Sequence, residues 1–269
     1  MADSLFERFL ALHHQASPLL MPNPWDVGSA MIFESLGFEA LATTSSGFAA
    51  TLGRLDGGVG RQEVLDHAHA IATAVSIPVS ADLENCYADD SIGVAETVTL
   101  AAQTGLAGCS IEDYDRNGDV IYPIEVAVDR THAAAEAAHG GATQLVLTGR
   151  CENFLHGRLD LTDTITRLQA YQDAGADVLF APGVNATDDL RTLIASVDRP
   201  VNVLPRPGMP TVDELGTLGV RRISVGGSMC WTAFDAAVRA ASELRDHGTY
   251  SYWSAVPDGL AAARAAFSS

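Results

Sequence analysis

Short apolar runs rich in β-branched residues recur along the chain, each followed by a longer stretch whose apolar positions repeat with a helical period. Strands are predicted at Leu19–Met21, Ala40–Thr44, Pro78–Asp82, Gly108–Glu112, Gln144–Gly149, Asp177–Phe180, Pro200–Leu204 and Arg222–Val225. Strand and helix in strict alternation imply a parallel sheet with crossover helices. Eight such units predict an α/β fold of the closed (β/α)8, TIM-barrel type. The segments LGFEAL, TGLAGC, AGADVL and LGVRRI repeat one helix-to-strand turn. Gly37, Gly105, Gly141, Gly175 and Gly219 each stand just before a strand, where a helix C-terminus favours a left-handed residue. An open doubly wound sheet is the competing architecture. It lacks support, because PNPWDVGSA follows the first strand where a Gly-x-Gly-x-x-Gly fingerprint would be expected.

The 269 residues suit one barrel domain with a further helical stretch, Tyr252–Phe267, beyond the eighth unit. The N-terminal MADSLFERFLALHHQ reads as a short amphipathic helix, not a signal peptide, so a cytoplasmic location is expected. No apolar stretch reaches the roughly 18 residues that a membrane span requires. A net charge of −18 argues against nucleic acid and against an anionic membrane as partners. All 16 basic side chains are arginine. Schiff-base and pyridoxal-phosphate lysine chemistry are therefore excluded. Cys86, Cys109, Cys151 and Cys230 are widely spaced and read as reduced thiols, Cys109 in the core and Cys86 and Cys151 just past strand ends.

Active sites of parallel barrels lie at the C-terminal strand ends. Those ends supply Asn23, Trp25 and Asp26; then Thr44, Ser45, Ser46 and Gly47, with a glycine-rich loop carrying Arg54 and Asp56; then Asp82 and Glu84; Glu112 and Asp113; Arg150 and Glu152; and Asn202. Hard carboxylate oxygens at strand ends are what Mg²⁺ takes, usually one or two directly with several waters kept. Asp56, Asp82, Glu84 and Glu112 would thus surround a cation, with Arg150 opposite to grip a carboxylate or phosphonate through its planar fork. Ser46 and Gly47 offer backbone N–H groups to a further carboxylate oxygen. This set suits a 2-oxo acid chelated to Mg²⁺, which acts as a Lewis acid for a developing enolate. Simpler roles compete: Asp26 and Asp113 as helix N-caps, Glu152 as a solvated acid, Arg150 as a structural ion-pair partner. His67 and His69 face different ways on a helix. His156 is near the site but is read as structural.

The segments MPNPWDVGSA, ATTSSGFAATLGRLDG, VSADLENCYAD, SIED, GRCENF, AGADVLFAPG and NVLPRPGMP, in this order, resemble the isocitrate lyase / phosphoenolpyruvate mutase superfamily over nearly the whole chain. The resemblance implies a Mg²⁺-dependent (or Mn²⁺-dependent) barrel cleaving a C–C or P–C bond beside a 2-oxo or 2-hydroxy carboxylate. It implies that Asp82 binds the metal while Asp56, Glu84 and Glu112 hold its waters. Ser46, Gly47 and Arg150, with Trp25, Ser45 and Asn202 around them, would receive the substrate. It also implies a homotetramer whose terminal helix swaps between neighbours. Two departures matter. The loop DYDRNGDVIYP lacks the cysteine and lysine of isocitrate-cleaving members, leaving Tyr114 as proton donor and only Asn117 to stand for the asparagine of phosphonopyruvate enzymes. Cys86, Tyr87 and Ala88 stand where Gly-Tyr-Gly is usual. The expected activity is a Mg²⁺-dependent lyase or decarboxylase acting on a small anionic 2-oxo acid such as oxaloacetate. The alternatives are a P–C enzyme of the phosphonopyruvate hydrolase or phosphoenolpyruvate mutase type, and a silent barrel that only binds 2-oxo acids.

Overall fold

The computed structural model describes residues 4–268. In chain order its elements are α1 (Leu5–Leu12), β1 (Leu19–Met21), α2 (Val27–Ser35), β2 (Leu41–Ala42), α3 (Ser45–Thr51), α4 (Arg61–Ala74), β3 (Val79–Asp82), α5 (Ser91–Ala101) and β4 (Gly108–Glu112). A hairpin of β5 (Tyr114–Asp115) and β6 (Val120–Ile121) follows, then α6 (Ile124–Gly140), β7 (Val146–Arg150), α7 (Leu161–Asp173), β8 (Val178–Phe180) and α8 (Thr187–Ala195). The chain ends with β9 (Val201–Val203), α9 (Val212–Leu218), β10 (Arg222–Ser224), α10 (Ser228–His247), a 3₁₀ turn at Ser251–Ala255 and α11 (Val256–Phe267).

Eight parallel strands lie side by side in the order β1-β10-β9-β8-β7-β4-β3-β2. The two end strands approach through the Ala42 N–H, which donates to the Pro22 carbonyl at 3.2 Å. This is the expected (β/α)8 barrel, nearly closed, with an added C-terminal helix. Lateral register places Glu112 beside Arg150, Arg150 beside Phe180, Phe180 beside Asn202, and Asn202 beside Arg222. Laterally paired residues share a face of the sheet, so this row brings an acid and an arginine together by strand pairing alone.

Alternate strand residues point outward into two apolar layers beneath the helices. Val79, Ala81, Cys109 and Ile111 pack with Val64, Ile71, Val94 and Val98 on one side; Val201, Val203 and Ile223 pack with Leu168, Leu190 and Leu215 on the other. Inside the barrel floor, Phe9 from α1 joins Leu19, Ala40, Ala107, Val146 and Val178. A Cβ on Gly108 would lie 2.7 Å from Phe9 Cε1, so only glycine admits this plug. Below the site, buried His13 faces Arg222 at 3.4 Å, and burial drives its pKa down to about 3, keeping the ring neutral.

Capping explains the helix starts: Ser4 with Glu7 opens α1, and Asp26 with Ser29 opens α2, the N-cap role read for Asp26. Four of the five turn glycines are left-handed, but Gly141 is extended at φ −86°, because α6 runs on through Gly140. The β5–β6 hairpin was not expected. Its signal was an Asn-Gly pair, Asn117-Gly118, between the alternating segments Tyr114-Asp115 and Val120-Ile121. Among the described residues no helix is long and apolar enough to cross a membrane.

Candidate active site

A cavity of about 350 Å³ opens at the C-terminal mouth of the barrel. Its walls include Ser45, Ser46, Asp56, Asp82 and Arg150 on one side and Leu204, Pro205, Arg206 and Trp231 on the other. Ser80, Ser110, Ser224 and Arg222 line it deeper in the barrel.

Asp82 ends β3 and is fixed by backbone. Its N–H donates to Thr43 Oγ1 at 2.9 Å, and its carboxylate accepts from the N–H groups of Ser45 and Glu84, each at 3.3 Å. Glu84 follows in a strained turn: Glu84, Cys86 and Tyr87 have φ of 51°, 61° and 54°, a left-handed conformation unfavourable for residues with a Cβ. The turn is held by several bonds. Cys86 N–H donates to the Leu83 carbonyl at 2.7 Å, Arg130 Nη2 to the Asn85 carbonyl at 2.6 Å, and the Tyr87 hydroxyl to Glu84 Oε1 at 2.9 Å. Cys86 thus keeps a glycine-like backbone without glycine, whereas Ala88 does not, and the strained turn aims Glu84.

Arg150 Nη1 lies 3.1 Å from Glu112 Oε2 and 3.6 Å from Asp82 Oδ1, and its Nε donates to Glu152 Oε1 at 2.5 Å. Glu152 is only 2 % exposed, so the competing role of a solvated acid does not hold. Burial acts to raise its pKa, but Arg150 and His156 prevail and hold it below the usual carboxylate range. Asp113 is not an N-cap either, because a hairpin rather than a helix follows it. It is buried, accepting from Arg167 Nη1 at 3.0 Å, the Tyr171 hydroxyl at 2.5 Å and the Glu152 N–H at 2.8 Å. This hub braces the strand ends that carry Glu112 and Arg150.

Arg116, to which the loop sequence alone assigns no role, enters from the hairpin. Its Nε is 2.6 Å from Glu84 Oε2, and its Nη2 is 3.3 Å from Asp56 Oδ2 and 3.7 Å from Glu112 Oε1. Despite these cations the acids remain under pressure. Burial raises Glu84 to about 7, against the pull of Arg116, and pushes Glu112 well above the carboxylate range, against Arg150. Both Glu112 oxygens are buried and, although ion-paired, neither receives a well-aligned hydrogen bond. Buried carboxylates short of donors behind a wall that carries Asp56 and Asp82 suit a further cation or its waters. Among the described residues no three His, Cys, Asp or Glu side chains converge as a direct ligand cage. Such a donor set fits Mg²⁺, which takes few protein ligands directly and retains water, better than a metal needing a protein cage.

The remaining expected residues divide. Ser45 and Ser46 line the cavity, although the Ser45 N–H already serves Asp82. Gly47 and Trp25 lie behind the wall: the Gly47 N–H donates to the Thr44 hydroxyl at 3.3 Å, and a Cβ on Gly47 would be 3.1 Å from that of Trp25. Asn202 is buried and donates to Ser224 Oγ at 2.8 Å. The Tyr114 hydroxyl donates to Asp119 within the hairpin, and its ring stacks on His156 at 3.6 Å. His156 Nε2 lies 3.3 Å from Glu152 Oε2. All four cysteines are buried and free, and neither Cys86 nor Cys151 lines the cavity.

Comparison with known proteins places this barrel in a family of lyases and mutases. The model of the phosphoenolpyruvate phosphomutase family matches residues 9–245, and the chain belongs to that family. It is 47 % identical to a Burkholderia cenocepacia J2315 protein described provisionally as a lyase/mutase, with a TM-score of 0.89 over 93 % of this chain and 90 % of that one. It is similar to oxaloacetate acetylhydrolase in complex with the product oxalate, at 25 % identity and a TM-score of 0.84 over 91 % and 88 % of the two chains. It is 29 % identical to the 2-methylisocitrate lyase of Escherichia coli K12 over 185 residues, 65 % of this chain and 61 % of the relative. The chain is thus an enzyme of the isocitrate lyase / phosphoenolpyruvate mutase superfamily.

Proposed function

We propose that the protein is a Mg²⁺-dependent lyase that breaks a C–C bond beside the oxo group of a small 2-oxo acid, with decarboxylation of a β-oxo acid such as oxaloacetate as the leading reaction. The observation that carries this reading is the cavity wall where Asp82 and Arg150 stand 3.6 Å apart, backed by underpartnered Glu112. Asp82 would hold the ion, with Asp56, Glu84 and Glu112 receiving its waters. When bound, Mg²⁺ supplies a Lewis acid for the charge that develops on the oxo oxygen. Arg150 grips the substrate carboxylate and sets its plane, and Glu152 holds that guanidinium in place. Ser45 and Ser46 border the same end of the cavity and orient the carboxylate from the other side. The enolate carbon takes its proton from water, or from Tyr114 once its hydroxyl leaves Asp119. The hairpin carries no cysteine to protonate a succinate carbanion, which disfavours isocitrate as substrate.

Exposed apolar residues on α10 and the C-terminal segment, including Trp231, Val238, Trp253 and Leu260, support assembly of the protein as a homo-oligomer, with the helix-swapped tetramer as the specific form. Light scattering on the purified protein measures that mass. The function is tested by assaying oxaloacetate, phosphonopyruvate, isocitrate and 2-methylisocitrate with Mg²⁺ and following pyruvate, glyoxylate and phosphate. Turnover of isocitrate with oxaloacetate left at its metal-catalysed background would overturn the reading. Turnover of phosphonopyruvate alone would move the enzyme to P–C chemistry.

A further inference from the structure

Arg116 stands among three carboxylates of the candidate site. Its guanidinium touches Glu84, Asp56 and Glu112 at 2.6, 3.3 and 3.7 Å, and these are the carboxylates assigned above to the water shell. The fit is shaped on the opposite side too: Gly57 lies so close that a Cβ there would be 3.0 Å from both Arg116 Cδ and Nη1. The side chain is carried by the β5–β6 turn, 60 residues from Asp56, so the contact is made by the fold and not by local sequence. Glu84 and Glu112 do not line the open cavity, whereas Asp56 does.

We propose that Arg116 is a tethered counter-ion that occupies the place of the ion's water shell, so that a hydrated divalent ion enters only as the guanidinium withdraws, and Arg116 sets the affinity of the site. The proposal rests on the Mg²⁺ reading. One volume lined by three carboxylates cannot hold a guanidinium and a hydrated ion together. Left empty, it would leave buried carboxylates uncompensated, which is costly. The guanidinium covers that cost in the ion-free protein. Two consequences follow. The apparent affinity for the ion is lowered by the fraction of molecules in which the guanidinium has withdrawn. The ion in turn exposes Arg116.

Mn²⁺ binding followed by electron paramagnetic resonance, on the wild type and on Arg116→Gln and Arg116→Ala, reads the first consequence without any turnover assay. The expected result is binding about tenfold tighter in both variants, which corresponds to withdrawal in about one molecule in ten of the wild type. Asp82→Ala serves as the control that loses binding. The second consequence is read on unmutated protein, by the rate at which phenylglyoxal modifies Arg116 with and without Mg²⁺, mapped by mass spectrometry against exposed Arg191. Mg²⁺ should raise modification of Arg116 several-fold and leave Arg191 unchanged. Equal or weaker Mn²⁺ affinity in the variants, or modification of Arg116 that Mg²⁺ does not raise, overturns the proposal while the metal site stands. Failure of wild type and variants alike to bind Mn²⁺ overturns the metal reading itself, and this proposal with it.

Discussion

Replacing Glu84 with glutamine should change how stability depends on pH, and the sign follows from burial. The carboxyl is 3 % exposed and its pKa rises from 4.5 to about 7 because desolvation outweighs the nearby Arg116. Below about pH 4.5 the group is protonated in both folded and unfolded chains. Between 4.5 and 7 the unfolded chain ionises first, so the folded state binds more protons and loses stability as pH rises. At about 1.4 kcal/mol per pH unit, the loss amounts to roughly 3 kcal/mol across this window. Glutamine cannot titrate, so the difference between wild type and Glu84→Gln isolates this one group from the other acids. Scanning calorimetry of the metal-free proteins from pH 4.5 to 8 should show wild type falling relative to the variant by roughly 5–10 °C. The gap should open as pH rises and level off above pH 7. Saturating Mg²⁺ should shrink it, because a bound cation favours the ionised carboxylate. Parallel melting curves across the whole range would refute the claim that Glu84 is held against its ionised form.

Asp82→Ala should abolish Mg²⁺-dependent turnover while the fold persists; full, EDTA-resistant activity in that variant would move the ion elsewhere. Arg150→Lys should rescue poorly, because a point charge cannot serve a carboxylate and Glu152 together, with a loss on the order of 2–4 kcal/mol in kcat/KM; an unchanged kcat/KM would make the arginine purely structural. Asp113→Asn should destabilise by about 3 kcal/mol, since an amide nitrogen would face Arg167 and Tyr171, both donors, and urea unfolding that shows no shift would place the strand-end bracing elsewhere.

The barrel was legible because each strand carries its own apolar run and each unit closes with a turn of similar chemistry. The ends of the strands were less so. Ala40–Thr44 shortens to Leu41–Ala42 because Thr44 turns aside to cap α3. Asp82, Glu112 and Arg150 could be placed at strand ends from sequence, because each closes the apolar run of its own strand. The roles of Arg116 and Asp113 could not be read this way, because their partners are distant in the chain: Arg116 reaches back to Asp56, and Asp113 meets Arg167 and Tyr171 on α7. Local pattern assigned Asp113 a capping role, and tertiary burial overruled it. For Glu152 the polar residue type suggested solvent, whereas Arg150 draws it inward.

Phe9, wedged against Gly108, makes the barrel a blind tube. Among the described residues the floor is filled, so substrate, products and the water they displace share the mouth. Traffic through that doorway is consequently sequential, and a fragment still lodged at the mouth blocks the next arrival. Inhibition by a lingering product should therefore be competitive with substrate.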